Sequence, residues 1–152
     1  MAQRKAVLAV WNKAGRGKTE TLKTVVEIIK KTFPNFIQLF PSSDGPLPSG
    51  DIVWVCKIED LIIGVDSKGD PCTGLKERLI ELLKKWNVDV IFCATRTSGE
   101  TVAAVEHLVE VEGFEPVWTS TYQVDGRGAQ KEANAVKARH IVDLMKQLGY
   151  LP

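Results

Sequence analysis

The residues best suited to chemistry lie near the start of the chain, where Trp11 to Thr19 read Trp-Asn-Lys-Ala-Gly-Arg-Gly-Lys-Thr. They follow the apolar run Ala6-Val7-Leu8-Ala9-Val10 and precede Leu22, Val25, Val26, Ile28 and Ile29 at helical spacing. A strand, a glycine-bearing loop and a helix in that order form an element suited to a nucleoside triphosphate. Backbone N–H groups of Ala14, Gly15, Arg16, Gly17, Lys18 and Thr19 would wrap the polyphosphate at the positive end of the helix. Gly15 and Gly17 permit positive φ and close backbone approach. Lys18 would reach the β- and γ-phosphates, and the Thr19 hydroxyl would take one position on Mg²⁺.

These residues resemble the Walker A loop of P-loop NTPases. Glycine is expected at position 12, where this chain has Asn12, a residue that tolerates left-handed backbone geometry better than most. The segment also resembles the deviant Walker A loop of partitioning and division-site ATPases, Lys-Gly-Gly-x-Gly-Lys-Thr. Lys13, Gly15, Gly17, Lys18 and Thr19 match that loop, and Ala14 replaces its first glycine. The second resemblance implies that Lys13 reaches the nucleotide of a second subunit, which would make the protein a homodimer.

Elements downstream must place partners for this loop. Phe36 to Phe40 reads as a second strand, after a helix that must stop before Pro34. Residues 41–50 hold three prolines and two glycines and read as a loop. Asp51 to Ile58 and Leu61 to Asp66 are β-rich runs separated by Glu59-Asp60, which predicts a hairpin over about 51–66. A helix is expected from about Pro71, carrying Leu75, Leu79, Leu82 and Leu83. Val88 to Cys93 reads as a strand buried on both faces. Thr97-Ser-Gly-Glu100 fits a capping box opening a helix with Val102, Val105, Leu108 and Val109. Pro116 to Tyr122 is read as the last strand and Ala133 to Leu148 as a helix closed by Gly149. The expected result is one α/β domain over residues 1–152, a three-layer α/β/α P-loop fold with a mainly parallel sheet.

In such sheets ligands bind beyond the carboxyl ends of the strands. Asp66-Ser67-Lys68-Gly69 resembles a Walker B aspartate running into a switch II glycine. That likeness makes Asp66 the expected metal residue beside Thr19, and the Gly69 N–H a sensor of the γ-phosphate. Asp70 is the first alternative because it shares the loop, ahead of Asp44, Asp51 and Asp60. Arg96, after the next strand, is expected beside the γ-phosphate as a catalytic partner of Lys18, and the amides of Ser98 to Glu100 offer a second helix N-terminus. Tyr122 and Arg127 border the last loop. His107 and His140, far from the strand ends, read as structural, and Trp11, Trp54, Trp86 and Trp118 as packing residues.

The remaining composition narrows the class. Twenty basic residues against nineteen acidic ones give a net charge of +1, so nucleic acid is not indicated as a partner. The chain opens Met-Ala-Gln-Arg-Lys without an apolar leader, and no run approaches the roughly 18 apolar residues of a membrane span. Cys56, Cys72 and Cys93 form no Cys-x-x-Cys element, and a reduced, cytoplasmic protein is expected. No Asn-Lys-x-Asp motif follows a late strand, which favours ATP over GTP. The sequence therefore predicts an Mg²⁺-dependent ATP-binding protein that hydrolyses the nucleotide or transfers its phosphoryl group in the manner of a small kinase. The alternative is a nucleotide-gated switch.

Overall fold

Two short apolar runs with almost every side chain inward, β1 (Ala6–Trp11) and β5 (Val90–Thr95), lie side by side in the middle of the sheet. A computed structural model describes residues 4–43, 45–125 and 127–152. Asp44 and the side chain of Arg127 lie outside the described residues. The other elements are α1 (Lys18–Thr32), β2 (Ile37–Phe40), β3 (Val53–Ile58), β4 (Leu61–Asp66), α2 (Leu75–Trp86), α3 (Glu100–Glu110), β6 (Glu115–Ser120) and α4 (Arg127–Gln147). The six strands are ordered β2-β3-β4-β5-β1-β6.

The sheet is mixed, which corrects the expectation of a mainly parallel one. β4, β5, β1 and β6 run parallel, whereas β3 pairs antiparallel with both β4 and β2. The cause is the two-residue connection Glu59-Asp60. A parallel neighbour needs a crossover of a dozen or more residues, while two residues close only an antiparallel hairpin. Glu59 meets the demand of that tight turn by adopting φ +53°, and Ile58 pairs directly with Leu61 as the hairpin reading requires.

Alternation along the central strands divides the core. Ala6, Leu8 and Val10 face α1 and α4, where Leu22, Val25, Ile29, Ile141 and Met145 are buried. Val7 and Ala9 face α2 and α3, against Leu79, Leu82, Val105 and Leu108. No helix among the described residues is long and apolar enough to cross a membrane. Cys56 and Cys93 are buried, and burial pushes the Cys56 thiol up to about 12.

Three helix starts depart from expectation, and the strands expected at Val88 to Cys93 and Pro116 to Tyr122 run instead over Val90–Thr95 and Glu115–Ser120. α2 begins at Leu75 rather than near Pro71, because Cys72 (φ +62°) and Gly74 (φ +79°) turn the chain left-handed before the helix can start. The capping box does not form. Gly99 precedes α3 with no side-chain cap, Thr101 Oγ accepts from the Arg96 N–H at 2.8 Å, and the Glu100 carboxylate accepts from the Cys72 N–H at 3.2 Å. α4 starts at Arg127 rather than near Ala133, and so reaches the phosphate-loop candidate with its first turns.

Candidate functional site

Register brings the strand ends together. Trp11 lies opposite Thr95 and Ser120, and Asp66 opposite Cys93, so the loops after β1, β4, β5 and β6 share one edge. Because β3 is antiparallel and Val53 pairs with Asp66, the residues leading into β3 reach that same edge. There the structure holds a cleft of about 350 Å³, bounded by Ala14 to Glu20 on one side and by Asp51, Ser67, Gly69 and Asp70 on the other.

The loop of residues 12–17 is built as a concave backbone. Gly15 (φ +70°) and Gly17 (φ +84°) take the left-handed conformations that the sequence calls for. Gly17 precedes α1 without any side-chain cap, leaving the first N–H groups of that helix free to bind an anion. Among the described residues none accepts from the N–H groups of Ala14 to Gly17. Asn12, where the resemblance expects glycine, ties the loop to the sheet. Its Nδ2 donates to Thr121 Oγ1 at 2.9 Å, and its Oδ1 accepts from the Lys13 N–H at 2.8 Å.

Lys18 lies on the floor of this loop and is only 7% exposed. Its Nζ donates to the carbonyls of Asn12 (2.9 Å) and Thr95 (2.8 Å). Burial lowers its pKa and the positive Arg96 lowers it further, against the opposing pull of Asp70 and Asp51. An ammonium held by neutral carbonyls under a ring of free N–H groups is a strong attractor for an anion.

Thr19 and Asp66, which the sequence reading placed on one metal, are separated by the sheet. Val65 faces the α1 side, so Asp66, one residue on, faces α2. Its carboxylate is 0% exposed and accepts from Arg78 Nε at 2.7 Å, from Arg78 Nη2 at 3.3 Å and from the Lys68 N–H at 3.0 Å. Burial raises the Asp66 pKa, and Arg78 opposes that rise. The carboxylate that does reach Thr19 belongs to Asp51, whose Oδ1 accepts from Thr19 Oγ1 at 2.7 Å and from Ser67 Oγ at 3.2 Å. Among the described residues no group of three or more His, Cys, Asp or Glu side chains is arranged to hold a metal by itself. A hydrated Mg²⁺ bound to phosphate oxygens needs only one or two protein ligands, which Thr19 and Asp51 fit.

Arg96 does not line the cleft; it is held by Asp70, which does, with Nη2 and Nε at 2.9 and 3.3 Å from Oδ1. Gly69 is buried, and its N–H donates to the Ser67 carbonyl at 3.0 Å rather than pointing free into the cleft. Its lack of a side chain has a packing cause. A Cβ there would fall 2.2 Å from the Ala94 carbonyl oxygen. Gly69→Ala is therefore expected to cost about 1–3 kcal/mol in urea unfolding, since backbone on both sides cannot give way as a side chain can; a cost near zero would mean that residues 67–70 are free to shift.

Lys13 and Arg16 are exposed beside the cleft. Tyr122 lies away from it, its hydroxyl bonded to His140 Nδ1 at 2.8 Å. Sequence reasoning missed two further contributors. Gln123 Nε2 donates to the Arg16 carbonyl at 2.6 Å, and the Asn134 side chain packs so closely on Gly17 that a Cβ there would lie 2.5 Å from its Oδ1. No protein family, curated protein or solved structure matches the chain.

Proposed function

We propose that the chain binds a nucleoside triphosphate with Mg²⁺ in the cleft above Lys18, as a P-loop protein, and transfers the terminal phosphoryl group to water or a small acceptor. The observation that carries this reading is the buried Lys18 ammonium beneath the unsatisfied N–H groups of residues 14–17. ATP is the nucleotide of choice because the guanine-specifying motif is missing. Lys18 would neutralise charge on the β- and γ-phosphates, and Arg96, exchanging Asp70 for the γ-phosphate, would stabilise the charge that develops in the transition state. Thr19 and Asp51 would hold the metal, which supplies further charge neutralisation.

A second reading, a nucleotide-gated switch, is favoured by the Arg96–Asp70 ion pair. If the γ-phosphate captures Arg96, Asp70 is released, and residues 67–74 gain a nucleotide-dependent conformation. Lys13, exposed at the rim, would then contact a second subunit, and the oligomeric state with a non-hydrolysable ATP analogue separates the two readings.

The site is tested by thermal midpoints with ATP and GTP, with and without Mg²⁺, on wild type and Asp51→Asn. ATP is expected to raise the midpoint, Mg²⁺ to raise it further, and Asp51→Asn to remove the Mg²⁺ increment while keeping the metal-free one. No rise with either nucleotide on wild type would overturn the reading; an intact increment in Asp51→Asn would move the metal to another residue.

A further inference from the structure

On the opposite side of β1 from α1 lies a second cavity, about 400 Å³ in volume, between α3 and the edge strand β6. It exists because α3 stops short of that edge. Ala9 is buried, yet Trp118, its register partner on the same face, is 40% exposed. Trp11, two residues on from Ala9 and also on that face, is 38% exposed, so two indoles stand as diagonal neighbours along one wall. The facing wall is a stripe of α3 carrying Val102, Glu106, Val109 and Glu110, whose spacing puts them on one side of the helix.

The charges in this cavity are unusual for packing. Glu106 and Glu110 sit four residues apart, an arrangement that costs a helix about 0.2–0.5 kcal/mol by repulsion. Neither forms an ion pair among the described residues. Arg96 borders the far end, but Asp70 compensates its charge. Uncompensated carboxylates facing exposed indole rings attract a cation and repel an anion. The volume falls within the range of small-molecule sites.

We propose that this cavity binds a small organic cation, its alkylammonium or guanidinium group held against Trp11 and Trp118 with Glu106 and Glu110 supplying the opposite charge. This assignment is independent of the nucleotide reading. The test uses the full chain labelled with fluorotryptophan, titrated with choline and with 3,3-dimethyl-1-butanol, which has the same shape without the charge. Choline in the millimolar range is expected to shift the Trp11 and Trp118 resonances and leave the buried Trp54 unmoved. The neutral analogue should bind at least about tenfold more weakly, as should choline to Glu106→Gln/Glu110→Gln. These are exposed positions, so that variant should keep the wild-type thermal midpoint. Equal binding of the neutral analogue, undiminished binding to the double variant, or no shift of Trp11 and Trp118 would each overturn the assignment.

Discussion

Replacing Arg78 with methionine is expected to cost about 3 kcal/mol of folding stability at pH 7, at the lower end of the range for breaking a buried ion pair because the arginine itself is 23% exposed. The loss comes less from the missing attraction than from what remains. Asp66 is fully buried, and without Arg78 only the Lys68 N–H, at 3.0 Å, still donates to it. Arg78 also donates to the carbonyls of Lys68 and Thr73, so one guanidinium holds the whole segment that leads from β4 into α2. The pH dependence identifies the mechanism. Burial already raises the Asp66 pKa above its unfolded value, and removing Arg78 takes away the main opposing influence. The folded variant therefore takes up a proton that the unfolded chain does not, and the stability gap to wild type narrows as pH falls from 7 through the raised pKa. Urea unfolding at several pH values measures both quantities. A second variant, Asp66→Asn/Arg78→Met, should recover part of the loss, since no buried charge is left without a partner. A pH-independent gap would assign the loss to the Lys68 and Thr73 carbonyls instead.

That ion pair also explains which parts of the site could be read from the sequence. The phosphate-loop candidate was legible because its determinants are local. A strand, two glycines at fixed spacing and a helix leave the backbone few other choices, and Gly15 and Gly17 adopt the φ values that their identity suggests. Asp66 was misplaced because the end of an apolar strand tells where a residue lies along the sheet but not which face it takes. One position of alternation decides between Thr19 and Arg78, and the face of β4 is set by packing against α1, at long range in sequence.

Asp51 was nearer to being legible. The hairpin reading of 51–66 already implied that the start of its first strand and the end of its second meet at one edge, so Asp51 belonged beside Asp66 by geometry alone. It ranks only among the weaker alternatives because ligands are expected at the carboxyl ends of strands, a rule made for parallel sheets, and Asp51 stands at the start of one. Gln123 and Asn134 had no sequence signal, since amide side chains are common in loops and helices, and only the early start of α4 brings Asn134 onto Gly17. The capping box at Thr97 failed for a similar reason. The residues were suitable, but Glu100 accepts from the Cys72 amide while Thr101 accepts from the Arg96 amide, and Gly99 rather than Thr97 precedes the helix.

Under the proposed function, Lys18→Ala is expected to abolish nucleotide binding while leaving the free protein nearly as stable as wild type, within about 1 kcal/mol. The two halves of this expectation have one origin. In the free protein the Lys18 ammonium is buried without a carboxylate in contact, a situation that lowers its pKa and opposes folding at neutral pH. Removing it relieves that penalty at the expense of two hydrogen bonds, and the Thr95 carbonyl keeps the Asn12 N–H at 3.2 Å. With Mg²⁺ and ATP at a hundred times the dissociation constant, wild type gains about 2.7 kcal/mol. For a chain of this length that is a rise of roughly 5–10 °C in thermal midpoint. The variant, whose loop keeps its N–H groups but loses the charge beneath them, should show almost none of it. A rise of equal size in both proteins would place phosphate binding outside this loop, and the Lys18 ammonium would then be a strut between the ends of β1 and β5.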